Sequence, residues 1–490
     1  MSKSFLIIIV SVFSIFTSLS QEEILSFNLD ESGSLLKNKD SYSISNNLNG
    51  DLCIILAERK EVYATLIDEK FKVRAKIKSD YLKRKYSDIL GYNIINNQYT
   101  LFASNSRKKK FAAISFNFDT QKTNIQELDF DFNKEKYVEA VNFKNQLYIL
   151  TATKENALTL RKVDENFKLK ILKTYKVDAS NKFQKLLARA GVDKNDFLEF
   201  GDFLFAPLQS NVIKIDNRVP NAIEQTANEN KLYQKNNKIY LTIDDEDENY
   251  TILHSINLDT LNFDTFLFEY PKGNIDDFKE YNSFIIDDKI IQLGSSRKEM
   301  KIVVKNFEDE VLKDFYFEKD TPISIKNSPI IQDGQTFVPF VNRREMEETS
   351  KFLRKASSGN IGITAYKIDG GYSAIIGGFK EIVTNSGGMM MGGVGVQAAP
   401  AGVAIPTSSF NPTFFSYNNY TSTKSVFFNT HFDSNFNYVE KEEEKNIFEK
   451  IDDYTDSIKR ITAEDVFFHN KILYLGYYDM REKTFHLVKV

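Results

Sequence analysis

Residues 64–75 read Ala64-Thr-Leu-Ile-Asp68-Glu-Lys-Phe71-Lys-Val-Arg-Ala75, and Leu160-Arg-Lys-Val-Asp164-Glu-Asn-Phe167-Lys-Leu-Lys170 is nearly the same phrase. An alternating run ends at an acidic turn, and a second alternating run begins there with an aromatic. Period-two alternation is the pattern of a half-buried strand. Asp or Asn in the turn accepts hydrogen bonds from its own backbone. Each phrase therefore predicts a β-hairpin. Further copies are Ile114 to Asp119, His254 to Phe263 and Asn429 to Phe436, with weaker ones at Val212 to Asp216, Val304 to Glu308 and Ala365 to Asp369. From Asp68 the acidic markers fall at 119, 164, 216, 259 and 308, between 43 and 52 residues apart.

A second phrase, a turn followed by an inner strand, precedes many of the copies: it begins at Asn97, Asn145, Asn237 and Asn470. Four short strands in about 40–50 residues is the arithmetic of a propeller blade. Parallel β-helices use shorter repeats, helical solenoids show a 3.6-residue period, and an array of sandwiches would need linkers. The last strand, Thr484 to Val490, runs off the end without an outer partner, and Ile24 to Leu36 reads as the missing tail of that hairpin. The fold class expected is all-β: a β-propeller of seven or eight blades over 21–490, with terminal strands closing the ring and leaving no open sheet edge.

Some segments depart from this pattern. Residues 181–198 and 343–356 read as helical insertions, and the charged stretch Glu440 to Arg460 as helix or loop. Residues 370–412 read as an apolar Gly/Met/Ala-rich loop, with no charged residue from Ile382 to Phe410. Its core is Gly387, Gly388, Met389, Met390, Met391, Gly392, Gly393, Val394, Val396, Pro400, Val403, Ile405 and Pro406. Flexible linkers are polar as a rule, whereas exposed apolar surface of this kind has a partner. Methionine adapts to irregular grooves and small residues allow close backbone approach. The expectation is a partner-binding loop that enters an apolar or narrow cavity of another protein; the competing reading is a floppy low-complexity loop.

Residues 1–20 read as a signal peptide, with Lys3, an apolar run from Phe5 to Phe16, and Ser18 and Ser20 before a cut at Gln21. That run is shorter than the ~20 residues of a membrane-spanning helix. The net charge of −4, or −5 once Lys3 is removed, gives no general attraction to nucleic acid or anionic lipid. The basic run Arg107 to Lys110 reads as a solvated hairpin tip. Cys53 is alone, so no intrachain disulfide forms, and its surroundings read as a buried strand. The four histidines, His254, His431, His469 and His486, make no zinc spacing. No nucleophile elbow, phosphate loop or His-Glu-x-x-His is present. Asp244 to Glu248 reads as an acidic hairpin tip, since it lacks the spaced ligands of a calcium loop. No catalytic residue, metal or cofactor is expected. A glycosidase would need only two axial carboxylates, but sialidase-type Ser-x-Asp-x-Gly-x-Thr-Trp turns are missing and the chain has no Trp.

The leader, the Trp-free propeller pattern rich in Phe, Tyr, Ile, Asn and Lys, and the single apolar Gly/Met loop together resemble the Plug subunits of the Bacteroidetes type 9 secretion translocon. That resemblance rests on the pattern across most of the chain and on no single motif. It implies a non-enzymatic periplasmic propeller on the inner face of the outer membrane, one copy per complex. Such a protein binds and occludes a large outer-membrane β-barrel export channel, with Gly387 to Pro406 as the segment facing the barrel. The alternative is a secreted or periplasmic propeller that binds or hydrolyses glycan.

Overall fold

The computed structural model describes residues 21–29, 40–58, 60–153, 156–177, 212–245, 248–333, 343–379, 410–420 and 425–490. Among them, seven sheets of four or five strands form a β-propeller. Blades 1 to 3 occupy 40–80, 88–128 and 136–176, blade 4 230–269, and blade 5 280–318, each an antiparallel meander numbered outward from its first strand. Blade 7 combines Ile461–His469, Ile472–Asp479 and Thr484–Lys489 with the N-terminal strand Glu22–Asn28. Glu22 pairs with Lys489 and Asn28 with Thr484, so the two ends of the chain close the ring as their alternation predicts. Outer strands alternate, as in Val73–Asp80, where Ile77 is buried and Arg74 and Lys76 are exposed. Middle strands are covered on both faces and read as continuous apolar runs, as in Leu52–Ala57. Cys53 lies there as a small hydrophobe, its thiol pushed up by burial.

The repeated phrase is the end of a blade's third strand and the turn that follows it. Asp68 Oδ1 accepts from the Lys70 and Lys72 amides at 2.9 Å each. Asp164 and Asp433 do the same for Asn166 and Lys168, and for Asn435 and Asn437. The aromatic that follows takes a left-handed backbone, with φ of 58° at Phe71, 59° at Phe167 and 61° at Phe436. That costs a bulky residue about 1–2 kcal/mol. Burial of the Phe436 ring, worth about 1.5–3 kcal/mol, offsets it, and partial burial of Phe71 and Phe167 does so in part. Phe71 meets Tyr474 of blade 7 at 5.6 Å and Phe167 meets Phe102 of blade 2 at 5.5 Å. Phe436 stacks on Tyr372 at 4.6 Å with Lys289 of blade 5 over its ring. Each turn thus leans on the preceding blade, and the apolar clusters likewise span neighbouring blades rather than single sheets.

Several expectations are corrected. Val212 to Asp216 is not a blade hairpin: Ile213–Ile215 runs parallel to the first strand of blade 4, on its axial side. Blade 6 is built of Asn360–Ile368, Gly371–Phe379 and Ser425–Asp433, with Ile330–Asp333 and then Arg343–Met346 outside them, and Ala365 to Asp369 is its first turn, not its third. Asp244 and Asp245 are not a tip but buried strand residues. Asp244 is tolerated there because the buried Lys231 ammonium lies 3.0 Å away. The 370–412 loop begins later than expected, because Gly371–Phe379 is the second strand of blade 6, with Gly378 against Ala356 of a helix. Alternation was masked there by small residues that are needed for that close contact. The helix expected over 343–356 is shorter: Arg343–Met346 is the edge strand of blade 6 and α2 covers Thr349–Ala356.

The other helices are α1 (Ile223–Thr226), α3 (Pro412–Tyr420) and α4 (Ile447–Asp456). Helix α4 lies inside the charged stretch 440–460 and starts with a capping box of Asn446 and Glu449. The helical insertion over 181–198 and the leader over 1–20 lie outside the described residues. No helix among the described residues is long and apolar enough to cross a membrane.

Candidate functional site

The functional question in a propeller is what occupies its axis. Here two segments of the chain do, and each is the return arm of an insertion. The first insertion leaves blade 3 at Val177 and returns at Val212; the second leaves blade 6 at Phe379 and returns at Phe410. One joins a fourth strand to a first, the other a second strand to a third. Strands alternate in direction, so in a ring of equivalently oriented blades both connections leave from the same rim.

The first return arm is held by four blades. Ile213–Ile215 pairs with blade 4. Lys214 Nζ donates to the Ala140 carbonyl of blade 3 at 2.8 Å and faces Glu139 at 3.5 Å. Burial pulls its ammonium below the usual lysine range against the pull of Glu139. Asn217 donates to the Ile285 carbonyl of blade 5 at 2.9 Å, and the Arg218 guanidinium lies 3.9 Å over the Phe468 ring of blade 7. A segment touching blades 3, 4, 5 and 7 together lies in the central channel. Helix α1 completes it against blade 6. A Cβ on Gly362 would meet the Ile223 carbonyl at 3.0 Å and the Ala227 amide at 3.1 Å. Gly362→Val is accordingly expected to cost about 1–3 kcal/mol by overpacking and to speed proteolysis within 212–229, measured by timed digestion.

The second return arm meets the remaining side of the ring. Phe410 meets Tyr42 of blade 1 at 6.0 Å and Tyr92 of blade 2 at 6.2 Å. Asn411 Oδ1 accepts from the Thr413 and Phe414 amides, capping α3, with Pro412 at its first position. Its Nδ2 donates to Asp465 Oδ1 of blade 7 at 2.7 Å.

The arms are joined to each other. Thr413 Oγ1 donates to Asp216 Oδ2 at 2.6 Å, and Ser416 Oγ to Asn221 Oδ1 at 2.7 Å. Asp216 also takes two bonds of 2.8 Å from the Arg218 guanidinium. Burial raises this carboxyl, but Arg218 and Thr413 outweigh it and hold the group below the usual carboxylate range. Nothing about Asp216 as a turn marker revealed this; only the paired arms do.

Beside the plugged axis, α3, α4 and blade 7 enclose an open cleft of about 400 Å³ lined by Phe414, Tyr417, Asn418, Asp452, Asp456 and Glu464. Tyr417 Oη donates to Asp452 Oδ1 at 3.0 Å. Burial raises the carboxyls of both Asp452 and Glu464; the Asp452 charge adds to the rise at Glu464, and the charges of Asp456, Glu449 and Asp453 add to that at Asp452. The cleft combines two aromatic rings with groups able to donate and accept hydrogen bonds. No sequence signal marked it, because its aromatic wall on α3 and its carboxyl wall on α4 and blade 7 are more than 30 residues apart.

The expected partner-binding residues, Gly387, Gly388, Met389, Met390, Met391, Gly392, Gly393, Val394, Val396, Pro400, Val403, Ile405 and Pro406, lie outside the described residues. The histidines are scattered over the ring. His254 is buried against Phe263, with Nδ1 3.0 Å from Thr265 Oγ1, and burial pulls it down to about 4. His431 lies in blade 6, His469 bonds Ser45, and His486 bonds Glu23 across the closing strands. In the basic run, Lys108 is tied to Asp88 at 2.8 Å and lies over Tyr137. No group of three or more His, Cys, Asp or Glu among the described residues is placed to hold a metal.

No protein-family model matches the chain, and no curated protein does. Solved structures that it resembles include an apocarotenoid oxygenase of Synechocystis, at 7% identity over 58% of this chain and 62% of that one, with a TM-score of 0.27. The chain therefore spans less than two thirds of that enzyme's length. Another is the Dos1 propeller, at 10% identity over 96% of this chain and 95% of that one, with a TM-score of 0.29.

Proposed function

We propose that this is an exported, non-enzymatic propeller that presents its two insertions from one rim to a protein partner. The partner we infer is a large outer-membrane β-barrel of a secretion complex, which the propeller binds and occludes from the periplasmic side. The observation that carries this reading is the filled axis. The channel, where a propeller enzyme would place converging catalytic groups, is used to anchor the return arms of 178–211 and 380–409 and to fasten them together. The charge-free composition of 382–410 supports an apolar contact for the second insertion. The test is affinity purification of the mature chain from gently solubilised envelope. We expect a large outer-membrane barrel to co-purify, and its yield to fall at least tenfold when 383–408 is deleted and the circular dichroism is unchanged. Equal yields would remove the loop's role.

The cleft at Tyr417, Asp452 and Glu464 favours a second reading, a glycan-binding propeller, because ring faces flanked by carboxyl and amide groups suit sugar hydroxyls. On that reading the chain binds glycan without any membrane partner, and Tyr417→Ala abolishes binding on a glycan array.

A further inference from the structure

Asp465 stands where the second return arm meets the ring, and its surroundings are unusual for a carboxylate. It is 1% exposed, on the first strand of blade 7 just past a bulge at Ala463, whose φ is 54°. Oδ2 accepts from the Ser43 amide of blade 1 at 2.9 Å and Oδ1 from Asn411 Nδ2 at 2.7 Å. Both donors are neutral. The buried Ser43 hydroxyl also adjoins the carboxyl, and its hydrogen bond, like those of the Ser43 amide and Asn411, offsets only part of the burial that favours the neutral form.

The other groups around it supply no compensating charge. Blade 1 offers Tyr42, whose phenol is raised well above its usual range by burial, and beyond it Tyr81 and Asp40. The first return arm offers Asp216, already neutralised by Arg218. On its own strand, Glu464 lines the cleft and His469 is bonded to Ser45. The second return arm brings Asn411, Phe410 and Thr413, all uncharged.

We propose that Asp465 is a proton-operated latch that keeps the arm 410–420 seated in the channel when neutral and favours its release when ionised. The mechanical link is Asn411, whose side-chain oxygen caps α3 while its Nδ2 holds Asp465, so losing the bond to Asp465 also loosens the start of the helix. Burial pushes the seated carboxyl up to about 7 from its ordinary 3.8. With the arm released the group meets water and returns towards the ordinary range. The seated state is then fully favoured below the ordinary range and loses that advantage as pH rises to about 7, with no further change above it. The opening constant therefore rises by at most tenfold per pH unit across that window. The proposal stands on the channel geometry and does not need the partner named above.

The test is amide hydrogen exchange of the mature chain at pH 5 to 8, followed by mass spectrometry of peptides covering 411–420. Rates are divided by the intrinsic rate at each pH. We expect the opening constant to rise at least tenfold between pH 5 and 7 and then level off, while peptides from Thr484–Lys489 stay flat. Asp465→Asn should remove the rise. Should that variant not fold, Asp465→Leu keeps the volume without the titrating group and takes its place. A flat profile in the parent chain, or the same rise in a folded variant, would overturn the latch.

Discussion

Replacing Asp244 by Ala is expected to lower stability by about 3–5 kcal/mol, the cost of leaving a buried charge without its partner. Asp244 is 1% exposed and carries three bonds: from Lys231 Nζ at 3.0 Å, from Thr251 Oγ1 at 2.9 Å and from the Ser283 amide of blade 5 at 3.1 Å. The last crosses from blade 4 to blade 5, so the substitution takes the Asp244 carboxylate from the buried Lys231 ammonium and loosens two blades together. The urea midpoint measures it. Asp244→Leu combined with Lys231→Met should recover much of the loss, because an apolar pair asks for no compensation. If Asp244→Ala leaves the midpoint unchanged, the ion pair is not what holds this seam.

Phe436→Ala is the second large effect, at about 3–5 kcal/mol for emptying a buried aromatic site. Phe436 is 1% exposed and takes part in the seam between blades 5 and 6, where Phe315 and Phe432 stack at 5.1 Å. The backbone makes this position diagnostic. At φ 61° an Ala keeps the left-handed penalty while losing the ring, whereas Gly loses the ring and the penalty together. Phe436→Gly should therefore be more stable than Phe436→Ala by about 1 kcal/mol. The reverse order would show that the left-handed backbone at this position carries no penalty.

These two sites explain why the propeller was legible and its details were not. The phrase around Asp68, Asp164 and Asp433 is local: the carboxylate bonds amides two and four residues on. Local chemistry is visible in sequence. Val212 to Asp216 has the same alternation and the same acidic end, yet serves the axis, because nothing local separates a strand paired outward in a blade from one paired inside the channel. Asp244 looked like a surface acid among acids, since its neutralising Lys231 comes from another strand and its third donor from another blade.

The chain by itself determined the four-stranded unit, the turn chemistry and the closure of blade 7 by its two ends, because period-two alternation and Asp or Asn turns are set by neighbours in sequence. It also marked 382–410 as a segment without charge, a matter of composition alone. Only the tertiary structure decided the number of seven blades, the filling of the axis by 212–227 and 410–420, and the pairing of those arms through Thr413 and Asp216. Blade number follows from how wedge-shaped seams such as Phe315 on Phe432 pack around a ring. The arms meet because a closed ring of seven sheets leaves one central space, which returning chain from two distant insertions must share.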